Sequence, residues 1–327
     1  MRRFKLPIFS VTFTLILLVC SSWGFLVHRT VNQLAIYQLP RPMQRFFWKM
    51  RDTLVREAPR PDVRRNTDPQ EAPRHFIDIE AYGDSAAWKM PLHWDDAVRQ
   101  YTADTLKKYG FVPYEVQRVA ALLTEAFRRG DRDSILYYAT DLGHYIGDAN
   151  VPLHSSINYD GQLTGQRGLH SLWESRIPEL DLNGYRLRDG HKARYLHDPA
   201  AAIWTAVRHS YELVKDVLEQ EREASKGMPD SVKYHTETRN GRQFRTYTNE
   251  FVKAYAARLG NTVNEQLLRS ADLIADFWYT AWVDAGTPDL DVIIDKKELK
   301  AELKAYRRNK LIEKKMLIAR QSVSSGD

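Results

Sequence analysis

The sequence predicts an all-α fold, a single compact multi-helix domain. Apolar residues recur at three- and four-residue spacing over six long stretches, no strand pattern is long enough to make a sheet, and no internal repeat divides the chain. The stretches are Val27 to Leu39, Leu92 to Tyr109, Tyr114 to Arg129, Asp133 to Gly147, Pro199 to Ser225 and Asn249 to Asp284. The clearest start is Asp133-Ser134, ahead of Ile135, Leu136, Ala139 and Leu142, because short polar side chains accept the first free N–H groups of a helix. Pro40 and Pro42, then Pro59, Pro61, Pro69 and Pro73, divide residues 40–74 into a helix followed by an irregular segment. Residues 155–168 and 178–198 gather Asn, Asp, Gly and Gln and read as loops.

Residues 1–22 read as a secretory signal peptide. Arg2, Arg3 and Lys5 form a positive start, Leu6 to Cys20 an apolar stretch short for a membrane span, and Cys20-Ser21-Ser22 offers small residues before Trp23. An uncleaved anchor and a lipidated Cys20 are the lesser alternatives. Export to a periplasm or the outside follows, with Trp23 as the first residue of the mature chain. A free Trp23 amine, its own carbonyl and His28 could then share a metal ion. Cys20 is the only cysteine, so the mature chain has no disulfide and no thiolate ligand. His, Asp, Glu and backbone groups remain as donors.

The formal charge of +6 misleads. Residues 296–320 hold ten Lys/Arg against three Glu, whereas residues 23–295 hold 35 basic and 38 acidic residues. Basicity therefore gives no argument for nucleic acid. The boundaries expected are a signal peptide at 1–22, a catalytic domain at 23–295 and a charged helix and tail at 296–327. That helix carries Leu299, Leu303, Leu311, Leu317 and Ile318. With its charges scattered around the wheel, it reads as a solvated appendage rather than a membrane-surface helix.

Two histidine–carboxylate groups follow: His144-x3-Asp148-x5-His154 and His170-x3-Glu174. Residues four apart on a helix share a face, so each His–carboxylate pair can converge on one ion. A single such pair is commonplace on helix surfaces. Three histidines and two suitably spaced carboxylates within 31 positions, in mostly apolar or glycine-rich surroundings, are more than one ion uses. His75 in Arg74-His75-Phe76-Ile77-Asp78, and Asp62 thirteen residues earlier, are ambiguous when read alone.

Taken together, these residues resemble the superfamily of bacterial zinc-dependent phospholipases C and fungal and plant three-zinc single-strand-specific nucleases. The correspondence runs from Trp23 to about Glu179 and fills every place in the pattern: N-terminal Trp, early His, Asp, His, the His-x3-Asp-x5-His run, then His-x3-Asp/Glu. The resemblance implies three Zn2+ in a cleft between helices. One would take Asp62, His75, His144 and Asp148. A second would take the Trp23 amine and carbonyl with His28, sharing Asp148 with the first. A third would take His154, His170 and Glu174. Two ions held close by a shared carboxylate lower the pKa of a water between them, which makes a nucleophile for attack on phosphorus. The resemblance also implies that Asp62 orients that water or accepts its proton. Arg65 matches an arginine that the nucleases use near the phosphate, although Arg60, Arg64 and Arg74 crowd the same segment.

These features predict an exported zinc-dependent hydrolase of phosphodiesters, with no obligate protein partner evident. The first expectation is a nuclease on single-stranded nucleic acid, because Phe76 and Asp78 resemble a nuclease pair that stacks on a base and bonds its edge. Such stacking is worth ~1–3 kcal/mol per base. Core packing of Phe76 and turn capping by Asp78 stand beside that reading. The alternative is a phospholipase C: Glu174 fits those enzymes, where the nucleases usually carry aspartate, and residues 158–162 depart from the usual nuclease loop. A zinc-binding protein without turnover is the second alternative. His93, His191, His197, His209 and His235 lack a second ligand at spacing. Tyr137, Tyr138 and Tyr145 share a helix with His144, where core packing is the main expectation.

Overall fold

Helix α1 (Phe25–Gln38) opens the part of the chain that a computed structural model describes, which comprises residues 24–188, 190–239, 241–294 and 308. Residues 1–22, expected to be a signal peptide, Trp23 and all of 296–320 except Arg308 lie outside it. His28, Val31, Asn32, Ala35 and Ile36 form the buried stripe of α1, at the three- and four-residue spacing a helix needs to face a core. Residues 40–64 make three short helices instead of one: α2 (Arg41–Lys49), α3 (Arg51–Glu57) and α4 (Arg60–Arg64). Prolines sit in the first turns of α2 and α4, where a missing N–H costs nothing.

After the turn at α5 (Ala86–Lys89), the expected helix from Leu92 to Tyr109 is split into α6 (Trp94–Tyr101) and α7 (Ala103–Tyr109). Thr102 adopts a positive φ of 67°, and its hydroxyl accepts from the Thr105 N–H. A cap therefore interrupts an apolar period that runs through it. Helix α8 (Val112–Arg129) packs antiparallel to α9 (Arg132–Ala149) across the left-handed turn at Gly130. The start of α9 lies just ahead of the expected one, because the Asp131 carboxylate accepts from both the N–H and the hydroxyl of Ser134. Beyond it come α10 (Leu169–Ser171), a π turn (Leu172–Arg176) and α11 (Ile177–Asp181). Helix α12 (Pro199–Ser225) has the predicted bounds and is capped by Asp198.

The expectation of no sheet also fails. After α13 (Asp230–Lys233), strands β1 (Tyr234–Arg239) and β2 (Arg242–Tyr247) form an antiparallel hairpin, with Tyr234 opposite Tyr247. Its signal was Asn240-Gly241, a dipeptide suited to the two-residue turn of a hairpin. Mostly polar strands hid it from a search for apolar alternation. The last expected helix is also two, α14 (Asn249–Leu259) and α15 (Thr262–Asp284), separated at Gly260 with φ 59°.

The main core joins α1, α8, α9 and α15. Trp278 of α15 stacks on Phe47 at 4.8 Å and donates its indole N–H to the Ala139 carbonyl at 3.0 Å. Fully burying side chains of this kind stabilises by ~1.5–3 kcal/mol each. A second cluster places Leu153, Leu169, Leu172, Trp173 and Ile177 against Phe251 and Tyr255 of α14. It gives the irregular 150–177 stretch an apolar support of its own. Among the described residues no helix is long and apolar enough to cross a membrane.

Candidate metal centre

Two glycines set the distance between α1 and α9. A Cβ on Gly143 would lie 2.2 Å from the Asn32 side-chain oxygen, and one on Gly147 would lie 3.1 Å from His28 Nδ1. The His28 ring consequently stacks on His144, centroids 3.8 Å apart, and its Nε2 comes within 3.4 Å of Asp148 Oδ1. Asp148 thus faces two ways. Its other oxygen, Oδ2, lies 2.9 Å from His75 Nδ1 and 3.3 Å from His144 Nε2. Asp62, from α4, completes that side, with Oδ1 at 3.7 Å from His75 Nδ1 and 3.8 Å from His144 Nε2.

The third cluster is built on the second apolar support. His154 sits in a 3-10 turn, Pro152–Ser155, and points Nε2 at His170 Nε2 (3.0 Å) and Glu174 Oε2 (3.5 Å). His170 Nε2 and Glu174 Oε2 are 2.7 Å apart. Glu174 stands in the π turn, a rare geometry that recurs at functional sites. Its second oxygen reaches to 3.6 Å from His28 Nε2.

Three donor sets therefore converge: His28, His144 and Asp148; Asp62, His75 and His144; His154, His170 and Glu174. Of the nine residues expected as ligands, eight fall within them, and Trp23 lies outside the described residues. The residues fit a divalent ion. Neither ring nitrogen of buried His28 has a hydrogen-bond partner among the described residues. Ring nitrogens also confront each other in pairs, His75 with His144 at 3.1 Å and His154 with His170 at 3.0 Å, where a shared cation satisfies both. The outer nitrogens are anchored: His144 Nδ1 lies 2.9 Å from the Ala58 carbonyl and His154 Nδ1 2.7 Å from that of His75. Such outer bonds fix the ring that faces a metal.

Electrostatics agree. Burial opposes charge on His28, yet nearby Glu174, Asp148 and Asp62 carry its pKa upward. Burial likewise opposes charge on His154, but Asp148 and Glu174 raise it to about 9. Burial would raise Asp148 and Glu174, yet the imidazoles around them hold both well below the usual carboxylate range. His144 is the exception: burial and the charge of His28 push it down. Without a cation, protons on imidazole balance the carboxylates, and a divalent ion supplies that charge instead.

Asp62 is 17% exposed and Arg65 46%, with the Arg65 guanidinium 3.5 Å from Asp62. The neighbouring arginines are committed elsewhere. Arg60 binds Asp141, Arg64 binds Glu71 and Asp141, and Arg74 pairs with Glu71 and Glu115. Phe76 is half-buried with its ring on Gly110, where a Cβ would lie 2.6 Å from it. Asp78 caps nothing with its side chain, although Asp78 was weighed as a turn cap. Burial and the charge of Glu80 push its pKa up to about 6.

That last shift carries a sign. The folded chain favours neutral Asp78, so ionising it costs stability as pH rises from about 4 to 6, and the cost stays in place above 6. Asp78→Asn removes the cost. Relative to wild type, its urea midpoint is expected to be higher at pH 7 and equal at pH 4; the same difference at both pH values contradicts the assignment.

No family model matches the chain, and no curated protein matches it. Among solved structures the chain is similar to Clostridium perfringens alpha-toxin from avian strain SWCP. The similarity is distant. The TM-score is 0.43 and identity 13%, over 80% of this chain and 64% of the alpha-toxin chain. This chain therefore spans less than two thirds of the alpha-toxin's length.

Ligand spacing does not mark Glu71 or Asp141, which bind the arginines behind His75, and Tyr145, expected to pack in the core, is buried but also accepts from Arg64. Nothing in local spacing connects residues 71 and 145. A signal for the His28 approach does lie in the sequence, although no expectation was drawn from it: Gly143-x3-Gly147 on the His144 helix.

Proposed function

We propose that the chain is an exported hydrolase of phosphodiesters that uses three zinc ions, and that phospholipid head groups are its first substrate class. The observation that carries the reaction class is the divided carboxylate of Asp148, one oxygen toward His28 and the other toward His75 and His144. A shared carboxylate of this kind keeps two ions close, the spacing used for in-line displacement at phosphorus. Zinc, when bound, supplies Lewis-acid stabilisation of phosphoryl charge and lowers the pKa of water. The chain's own residues do the rest. Asp62, partly open to solvent, accepts the proton of the attacking water. Arg65 pairs with it at 3.5 Å and is exposed enough for its guanidinium also to meet a phosphate oxygen. The buried histidines and α9 exclude bulk water from behind the reacting centre. The Trp23 amine and carbonyl would complete the His28 set, and neighbouring Gly24 already lies against Glu174.

Glu174 favours the phospholipid reading. Its length lets one oxygen meet His154 and His170 while the other approaches His28, a reach that the aspartate usual in the nucleases lacks. Single-stranded nucleic acid is the second reading, and Asp78 favours it, as a partly buried carboxylate with no capping role. The test uses the mature protein beginning at Trp23, loaded with zinc, on short-chain phosphatidylcholine and denatured single-stranded DNA in parallel. Release of phosphocholine is the expected result. Cleavage of DNA alone would move the assignment to the nuclease reading. Activity that survives prolonged chelation is incompatible with both.

A further inference from the structure

The His75 donor set has a second layer that no ligand pattern contains. Glu71 has no solvent exposure, although it is a carboxylate, and every contact it makes has a direction. Arg64 donates to both of its oxygens, from Nε at 2.9 Å and Nη2 at 3.0 Å. The Tyr145 hydroxyl donates to Oε1, and Arg74 Nη1 to Oε2 at 3.2 Å. The remaining neighbour is His75 Nε2, 3.4 Å from Oε1, an ion-pair distance at which this buried nitrogen makes no hydrogen bond. The opposite nitrogen, Nδ1, is the one turned toward Asp148, His144 and Asp62.

The other contacts of Arg64 extend this arrangement. Its Nη2 also meets Asp141 Oδ2 at 3.0 Å, and Arg60 binds the same aspartate at 2.6 Å. Arg64 lies two residues after Asp62 on α4, Glu71 four residues before His75, and Asp141 three residues before His144 on α9. One buried ion-pair cluster therefore touches all three segments that supply the donors around Asp62, His75 and His144. Two of those segments are short: α4 has five residues, and the 3-10 turn Ala72–Arg74 before His75 has three.

We propose that Glu71 is the positioning residue of this centre: its buried charge behind His75 Nε2 favours the tautomer protonated there and leaves Nδ1 for the metal, and through Arg64 it sets α4 so that Asp62 reaches the same ion. Glu71 touches neither substrate nor metal. A carboxylate behind a metal-bound histidine fixes its tautomer and raises its basicity, and loss of such a partner commonly costs 10–100-fold in metal affinity. The inference rests on the reading of this set as a zinc site, and it assigns a role to a residue outside the ligand pattern.

The test measures zinc binding to the full mature chain by competition with a chromophoric chelator, and the visible spectrum of the cobalt(II)-loaded protein. Glu71→Gln keeps the shape and removes the charge. The expected result is a ~10–100-fold loss of affinity in one zinc equivalent, with a changed cobalt spectrum. The equivalent held by His154, His170 and Glu174 is expected to stay as in wild type. Tyr145→Phe, which keeps the Glu71 charge and removes one bond to Glu71 and one from Arg64, is expected to produce a smaller loss in the same equivalent. It also serves if Glu71→Gln does not fold. Wild-type affinity and spectrum in a folded variant overturn the proposal, and so does an equal loss across all equivalents, which marks Glu71 as a general prop. A wild-type chain that binds no zinc overturns the zinc reading itself, which separates the two failures.

Discussion

Asp148→Asn is expected to remove two of the three zinc equivalents and to lower hydrolysis by at least ~10²–10³-fold, the scale of losing a preorganised charge-stabilising group. The reason is geometric. Asp148 is almost completely buried, its two oxygens serve different donor sets, and no other carboxylate among the described residues lies between His28 and His75. Asparagine keeps the volume and one acceptor but places an amide where a ligand oxygen should be. Arg65→Ala is expected to retain all three equivalents and to lose only about tenfold or less in rate, since Arg65 is half exposed and makes one 3.5 Å contact with Asp62. Zinc counting beside a rate assay checks both. Equal, mild losses in the two variants contradict the roles assigned.

Gly143→Ala is expected to cost ~1–3 kcal/mol of stability, the range for overpacking a filled core, and to weaken zinc at the His28 set. The added Cβ would lie 2.2 Å from the Asn32 oxygen and under 3 Å from two further Asn32 atoms. Asn32 cannot simply swing away, because it is fully buried and donates its amide to the His28 carbonyl at 2.9 Å. Moving it moves α1, and His28 with it. Gly184→Ala is the control, with nothing within 4 Å of its Cβ and no positive φ. Urea denaturation should separate the two, and the double variant Gly143→Ala/Asn32→Ala should recover part of the loss. A Gly143→Ala midpoint equal to wild type would show that the α1–α9 contact is slacker than its distances indicate.

The sequence made the long helices legible because their apolar stripes are continuous, as α12 shows with both ends where expected. Breaks were harder to see. Thr102 and Gly260 interrupt helices inside an unbroken apolar period, and only a cap or a positive φ marks them. Part of the expected donor set was legible for a different reason, whereas Asp62 and His75 stood out only through the family resemblance. His144-x3-Asp148 and His170-x3-Glu174 depend on spacing along one chain segment, which survives in one dimension. Glu71 depends on Arg64, Tyr145 and His75 meeting from three segments, and no spacing encodes that. Phe76 and Asp78, expected as a substrate pair, were visible as residue types, but the Gly110 contact that half-buries Phe76 belongs to the fold. The charged stretch at 296–320 and the Trp23 terminus lie outside the described residues, apart from Arg308.

The central claim, that three converging donor sets each hold zinc, is tested most directly by equilibrium dialysis of the mature chain beginning at Trp23, followed by elemental analysis. The account predicts three zinc ions per chain, falling to two when one extra residue precedes Trp23 and blocks its amine as a ligand. A chain that retains no zinc after dialysis, or one whose count and activity ignore the added residue, contradicts it.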